Sequence, residues 1–167
     1  MNIFHDDDDV LIGTMILSAT SLIDGKNGIT GRSIGSQTWE LYLDEFPSGN
    51  DDILIPLAPL QSISSIMYRD AITNTNKTLS DAEYSVDNVS EPARVSALTA
   101  WPNTKKINNA VKITFISGYV DIPSALKHAV KLLVAHFYTN RSNLTDSKMV
   151  EMPFGVSSLL LPFRNWN

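Results

Sequence analysis

The stretch "AVKITFISGYVDIPSALKHAVKLLVAHFYTNR", residues 110–141, changes its hydrophobic period half-way, and that change decides the fold class. Over 110–117 the β-branched and aromatic side chains fall in partial alternation, the pattern of a strand. Beyond Tyr119 the apolar positions are Leu126, Ala129, Val130, Leu133, Val134 and Phe137. Their spacing by three and four predicts one long helix over about 123–140, with Pro123 at a first helical position.

Upstream of this junction, "SQTWELYL" (36–43) reads as a second strand, and "DILIPL", "SISSIMY" and "AEYSVD" as shorter ones bounded by turn residues. "RDAITNTNKTLS" (69–80) reads as a hairpin tip or exposed loop between them. Residues 36–117 are therefore expected to form a small antiparallel β region.

Before that region, Leu11, Met15, Ala19, Leu22 and Ile23, with Ile12 and Ile16 beside them, follow a helical stripe and predict a helix over about 6–24. Asp6, Asp7, Asp8 and Asp9 sit at its start, where unpaired amides and the helix dipole favour carboxylates. "DGKNGITGR" (24–32) must end the helix, because Gly25, Gly28 and Gly31 break it and permit positive φ. A glycine loop that cradles phosphate runs from a strand into a helix; here a helix runs into a strand, which favours a shaped turn.

After the second helix, "SNLTDSKMVE" (142–151) is polar and reads as a mobile link. An apolar arm over about 152–167 follows, in which "GVSSLLLPF" predicts a short helix stopped near Pro162. The expected fold is α+β in a single domain over 1–167: two main helices plus a short C-terminal helix, packed with an antiparallel β region inserted between the main helices.

Composition narrows the function. Of 167 residues, 43% are hydrophobic and 19% charged, enough apolar material for a substantial core. No cysteine is present, so disulfides and thiolate metal sites are excluded. The formal charge is −5, of which the four aspartates at 6–9 supply −4. A nearly neutral remainder argues against a phosphate-tracking surface. Neither a signal peptide nor a membrane span is evident at the N-terminus, which predicts a cytoplasmic start. The glycosylation-type triplets at Asn76, Asn88, Asn140 and Asn143 then reflect only the abundance of Asn, Ser and Thr.

Candidates for catalysis are few. His5 lies in the acidic start, and His128 and His136 are eight residues apart on one predicted helix, or roughly 12 Å, too far to share a metal. His136 adjoins the apolar stripe and reads as a packed residue with one satisfied nitrogen. "HDDDD" lacks the spaced ligands and turn glycine of a calcium loop. No nucleophile elbow, Walker loop, zinc-protease motif or dinucleotide fingerprint occurs. The residues point instead to an interaction protein without cofactors or metals. Trp101 is expected to cap the core, whereas the apolar arm, with Phe154, Leu160, Phe163, Arg164 and Trp166, is expected to meet a partner.

Taken in order, "DGKNGITGRSIGSQTWELYLDEFP", "IPLAPLQSISSIMYRD", "YSVD", "EPARV", "WP", "VKITFISGYVDIPSALKHAVKLLVAHFYTNR" and "PFGVSSLLLPFR" resemble the head-to-tail connector (adaptor) proteins of long-tailed phages and gene transfer agents. The resemblance covers nearly the whole chain and rests on the combination of pieces. It implies a virion structural protein at the head-tail interface, assembled in the host cytoplasm and without catalysis. Subunits would self-associate into a ring, generally twelvefold, that docks under the portal protein, extends the DNA channel and receives a stopper or the tail.

By the same resemblance the helices would build the ring, the sheet region would project outward, and the C-terminal segment would reach the portal or the adjacent subunit. DNA would pass without sequence-specific binding, and no membrane is involved. Asp6, Asp7, Asp8 and Asp9, if turned to the lumen, would repel the duplex. Two other readings are kept beside this one: a stopper or tail-completion protein, and an accessory nucleic-acid-binding protein or enzyme, which would need a basic stripe or a convergent polar pocket.

Overall fold

Strand "VKITFIS" organises the β region because both of its edges are paired. In the computed structural model, which describes residues 8–49, 51–140 and 153–165, the strands are β1 (Gln37–Leu43), β2 (Ile53–Ile55), β3 (Leu60–Arg69), β4 (Asn76–Thr78), β5 (Tyr84–Asp87), β6 (Ala93–Ala97) and β7 (Val111–Ser117). The helices are α1 (Asp9–Ile23), α2 (Ser124–Thr139) and α3 (Phe154–Leu160). The α+β class follows.

The chain divides into two compact units, residues 35–120 and residues 1–34 with 121–167. In the first, β1, β7, β3 and β4 form an antiparallel sheet in that order. Val111, Ile113, Phe115 and Ser117 alternate into the core from β7, as the period of two requires. Two register shifts in β3, between Leu60 and Ser62 and between Ile63 and Ser65, bend that strand against β7. A second sheet, ordered β2, β6, β5, adds Ile53, Ile55, Val95 and Tyr84 to the same core.

The expected single β system is thus two sheets, and β6, "ARVSA", was not anticipated as a strand. It alternates as a strand does, with Arg94 exposed between the buried Ala93 and Val95, but at five residues, two of them alanine, it carries little β-forming signal. Trp101 caps the core as expected: its ring stacks on Phe46 with centroids 4.9 Å apart, and its Nε1 donates to the Asp51 carbonyl at 2.9 Å.

Gly118 marks the end of β7, with φ +117 and a hydrogen position where a Cβ would lie 1.9 Å from the Gly35 carbonyl oxygen. Only glycine fits that approach. Beside it, the Ser117 hydroxyl is buried and donates to the Leu57 and Pro59 carbonyls at 2.9 and 3.0 Å, so the close crossing leaves no orphan polar group.

In the helical unit α1 ends at Asp24, whose backbone turns extended. Its carboxylate accepts from the Ile34 amide at 2.7 Å, and Thr30 Oγ1 donates to the Ile23 carbonyl at 2.6 Å, so the glycine-spaced stretch is a hydrogen-bonded turn as predicted. Gly28 lies against the Asp24 carbonyl, leaving 2.3 Å for any Cβ.

Helix α2 buries Leu126, Ala129 and Leu133 of the predicted stripe, while Val130, Val134 and Phe137 are half-buried. Pro123 stands one position earlier than expected, as the N-cap, where its carbonyl accepts from the Leu126 and Lys127 amides at 3.0 and 3.1 Å. The predicted short C-terminal helix is α3, closed by a 3₁₀ turn at Leu161–Phe163 that contains Pro162. The predicted link at 142–151 lies outside the described residues.

Candidate functional site

The apolar arm was expected to go to a partner, yet its larger part is held by its own unit. Val156 and Leu160 are fully buried on α3, which packs on α2. Burying side chains of this size stabilises the docking by roughly 1.5–3 kcal/mol each, taken as an upper range. The Asn165 amide donates to the Thr30 carbonyl at 2.8 Å and Arg32 Nε donates to the Phe163 carbonyl at 2.7 Å, so main chain as well as side chain anchors the segment.

This corrects the expectation for Leu160, which is 1% exposed and occupied inside the unit. Helical spacing explains it: Val156 and Leu160 are four apart and share the face turned to α2, while Phe154 faces away and is 86% exposed. Phe163 is half-buried and Arg164 exposed. Leu161, not anticipated, adds to the exposed apolar surface beyond α3. Trp166 lies outside the described residues, as do Asp6 and Asp7.

The larger apolar surface belongs to α1, where only Asp9 among fifteen residues is charged. Ala19 and Ile23 are its buried positions, so the predicted stripe is right about its inner edge. Its outer side carries apolar residues too: Val10 is 84% and Leu17 70% exposed, and Leu11 and Leu22 are also exposed. Two of the helix's four hydroxyls are turned back on it, with Thr14 Oγ1 donating to the Val10 carbonyl and Ser18 Oγ to the Thr14 carbonyl, each at 2.9 Å, while Ser21 is exposed. A helix apolar all round is ordinarily buried on all sides.

Between α1 and α2 runs a groove of about 560 Å³, lined by Ile12, Ile16, Val130, Val134 and Tyr138 among others, with Lys127 and Lys131 on its α2 side. Tyr138 donates its phenol proton to the Asp8 carboxylate across one end. Asp8 is the N-cap of α1 but makes no side-chain capping bond; Tyr138 takes that carboxylate instead. Asp8 is therefore a helix-pairing residue, a role its position alone did not reveal.

Elsewhere the titratable groups form surface pairs. Lys112 Nζ meets Glu40 Oε1 at 2.8 Å, and Tyr42, on the same face as Glu40, donates to its other oxygen. Lys112 holds the Glu40 carboxyl below its usual range, and that carboxylate raises both partners. At the β3–β4 tip, Asp70 accepts from Lys77 Nζ at 2.7 Å and from the Thr73 and Ile72 amides at 2.7 and 3.0 Å. These donors, Lys77 foremost, hold the Asp70 carboxyl well below the usual carboxylate range. The tip so fixed presents Ile72 to solvent.

His128 is exposed, and His136 has Nδ1 3.2 Å from Asn140 Nδ2 while Nε2 is buried without a partner among the described residues. This agrees with a packed histidine having one satisfied nitrogen. Among the described residues, no group of three His, Asp or Glu is placed to hold a metal, and no helix is long and apolar enough to cross a membrane.

No protein-family model and no curated protein sequence matches the chain. Solved structures do. A chain in the neck of an empty gene transfer agent particle, reconstructed with C6 symmetry, superposes with a TM-score of 0.77 at 23% identity, over 100% of this chain and 84% of that one. This chain has the fold of a gene transfer agent neck component. A chain of the native gene transfer agent virion superposes at 0.76 with 23% identity, over 99% of this chain and 84% of the other. One from the native neck, reconstructed with C12 symmetry, superposes at 0.73 with 23% identity, over 94% and 83%. The fold implied by the sequence resemblance is therefore the fold found.

Proposed function

We propose that this protein is a head-to-tail adaptor: a structural virion protein whose copies assemble into a ring between the portal at the capsid vertex and the stopper or tail. The observation that carries this reading is the end-to-end likeness to gene transfer agent neck chains, in particles reconstructed with sixfold and twelvefold symmetry. The exposed apolar surface of α1 and the exposed Phe154 and Leu161 support it, because an isolated soluble chain gains nothing from leaving such groups in water.

In this role the protein performs no chemistry. Its ring extends the DNA channel, and a body close to neutral lets the duplex slide without gripping its phosphates. Asp6 and Asp7, ahead of α1 in the sequence, add repulsion where they face the lumen, whereas Asp8 is taken by Tyr138. Phe154, Phe163, Arg164 and Trp166 are the contacts assigned to the portal or the adjacent subunit, joined by Leu161; Leu160 acts from beneath by fixing α3 on α2.

The test is to mix the purified chain with the portal protein from the same genome and image the product by electron microscopy. A ring seated on the narrow end of the portal is expected. A chain that ignores an intact portal but binds the tail-side protein would make it a stopper instead.

A further inference from the structure

We infer that the ring contact is head-to-tail between helices: the outer apolar side of α1 of one copy lies in the α1–α2 groove of the next. The inference rests on the ring reading above and adds the surfaces that close the ring. Three observations carry it. Helix α1 exposes Val10 and Leu17 on the side its own unit leaves uncovered, and Thr14 and Ser18 there satisfy their hydroxyls within the helix. The groove offers an apolar floor of a size to take the side chains of a helix edge.

The third observation is charge. The only charged residue of α1 is the acidic Asp9, next to Asp8, whereas the α2 side of the groove carries Lys127 and Lys131, both exposed and one turn apart. A second copy is thus the occupant whose charge fits, and an acidic end meeting a basic flank sets the direction of the incoming helix. With Asp8 and Asp9 beside Lys127 and Lys131, that helix runs parallel to α2. Leu17, about 12 Å further along, then comes to Ala135.

Because donor and acceptor surfaces differ, the contact is heterologous: each copy offers one of each, and repetition about an axis closes a ring. A face that paired with itself would stop at a dimer. Apolar burial supplies the affinity and the charges the register, so added salt weakens the contact only in part.

Cysteine cross-linking tests this cleanly, since the chain has no cysteine of its own. Leu17→Cys and Ala135→Cys both alter exposed positions and leave each unit's core intact. Equimolar variants are mixed and mildly oxidised, both free at millimolar concentration and on the portal. The expected result is a mixed disulfide in excess of a statistical mixture, reduced about threefold by Lys131→Glu and restored when Asp9→Lys is added to the partner variant.

Preferential Leu17→Cys homodimers would show a self-paired face and overturn the proposal. Rings seen by electron microscopy without the mixed link would overturn this interface and leave the adaptor reading standing. Absence of both ring and link would remove the two together.

Discussion

The two units of the chain distribute their apolar residues differently. The β unit directs Ile53, Ile55, Ile66, Val95, Val111, Ile113 and Phe115 into one core shared by its two sheets, with Trp101 and Phe46 stacked at its edge. In the helical unit α3 is fastened to α2 through Val156 and Leu160, while Val10, Leu17 and Phe154 stay in solvent. Both are apolar by composition; the difference is whether the period of the pattern matches the surfaces available. Alternation places every second residue of β7 inside. A helix with one charge in fifteen residues has more apolar circumference than one neighbour can cover. The β unit encloses a shared core and leaves apolar side chains such as Ile72, Val89 and Val120 exposed outside its strands, whereas the helical unit gathers exposed apolar residues along one helix.

The sharpest way to break this contrast is to remove one large side chain from each unit. Phe115→Ala, at the centre of the β core, is expected to cost about 3–5 kcal/mol in urea denaturation. Leu17→Ala, on the outer side of α1, is expected to change stability by no more than about 0.5 kcal/mol while abolishing self-association. A large stability loss at Leu17 would mean that α1 is covered within its own chain.

Glycine substitutions sharpen the same point at smaller scale. Gly118→Ala drives a Cβ into the Gly35 carbonyl at positive φ, and a loss of about 3 kcal/mol is expected. Gly13→Ala on α1 meets nothing within 4 Å and removes a flexible residue from a helix interior, so a gain of about 1 kcal/mol is expected. Thermal melting of the two variants decides both.

The smallest effect concerns the β3–β4 tip. The folded Asp70 carboxyl is depressed, so its ordering of the tip is complete above the pH at which an ordinary carboxylate ionises and is lost as pH falls below that range. The amide resonances of Ile72 and Thr73, which donate to Asp70, are expected to move together in acid titration and to be displaced already at neutral pH in Asp70→Asn. Because the pair is exposed, global stability should scarcely change.

Much of this architecture was legible beforehand. The period switch near Gly118, the α2 stripe, the glycine-spaced turn and the short helix before Pro162 all follow from local chemistry, and local chemistry is what a sequence displays. The split into two sheets was not legible, because strand partners are chosen by long-range packing and β6 is a five-residue strand with one β-branched residue. The fate of the arm was half legible. Its apolar residues announced a contact, but that Leu160 turns inward and Phe154 outward depends on where α2 lies. The outer side of α1 is marked by no stripe; its signal is the near absence of charge.

The central claim is that the helical unit supplies the assembly surface and the β unit does not. Hydrogen–deuterium exchange of the free chain against the assembled ring measures this directly. Gained protection over Asp9–Ile23 and around Phe154–Leu160, with the amides of β7 and β6 unchanged, is the predicted result. Protection gained in the β unit alone, with α1 exchanging as fast in the ring as in the free chain, would contradict it.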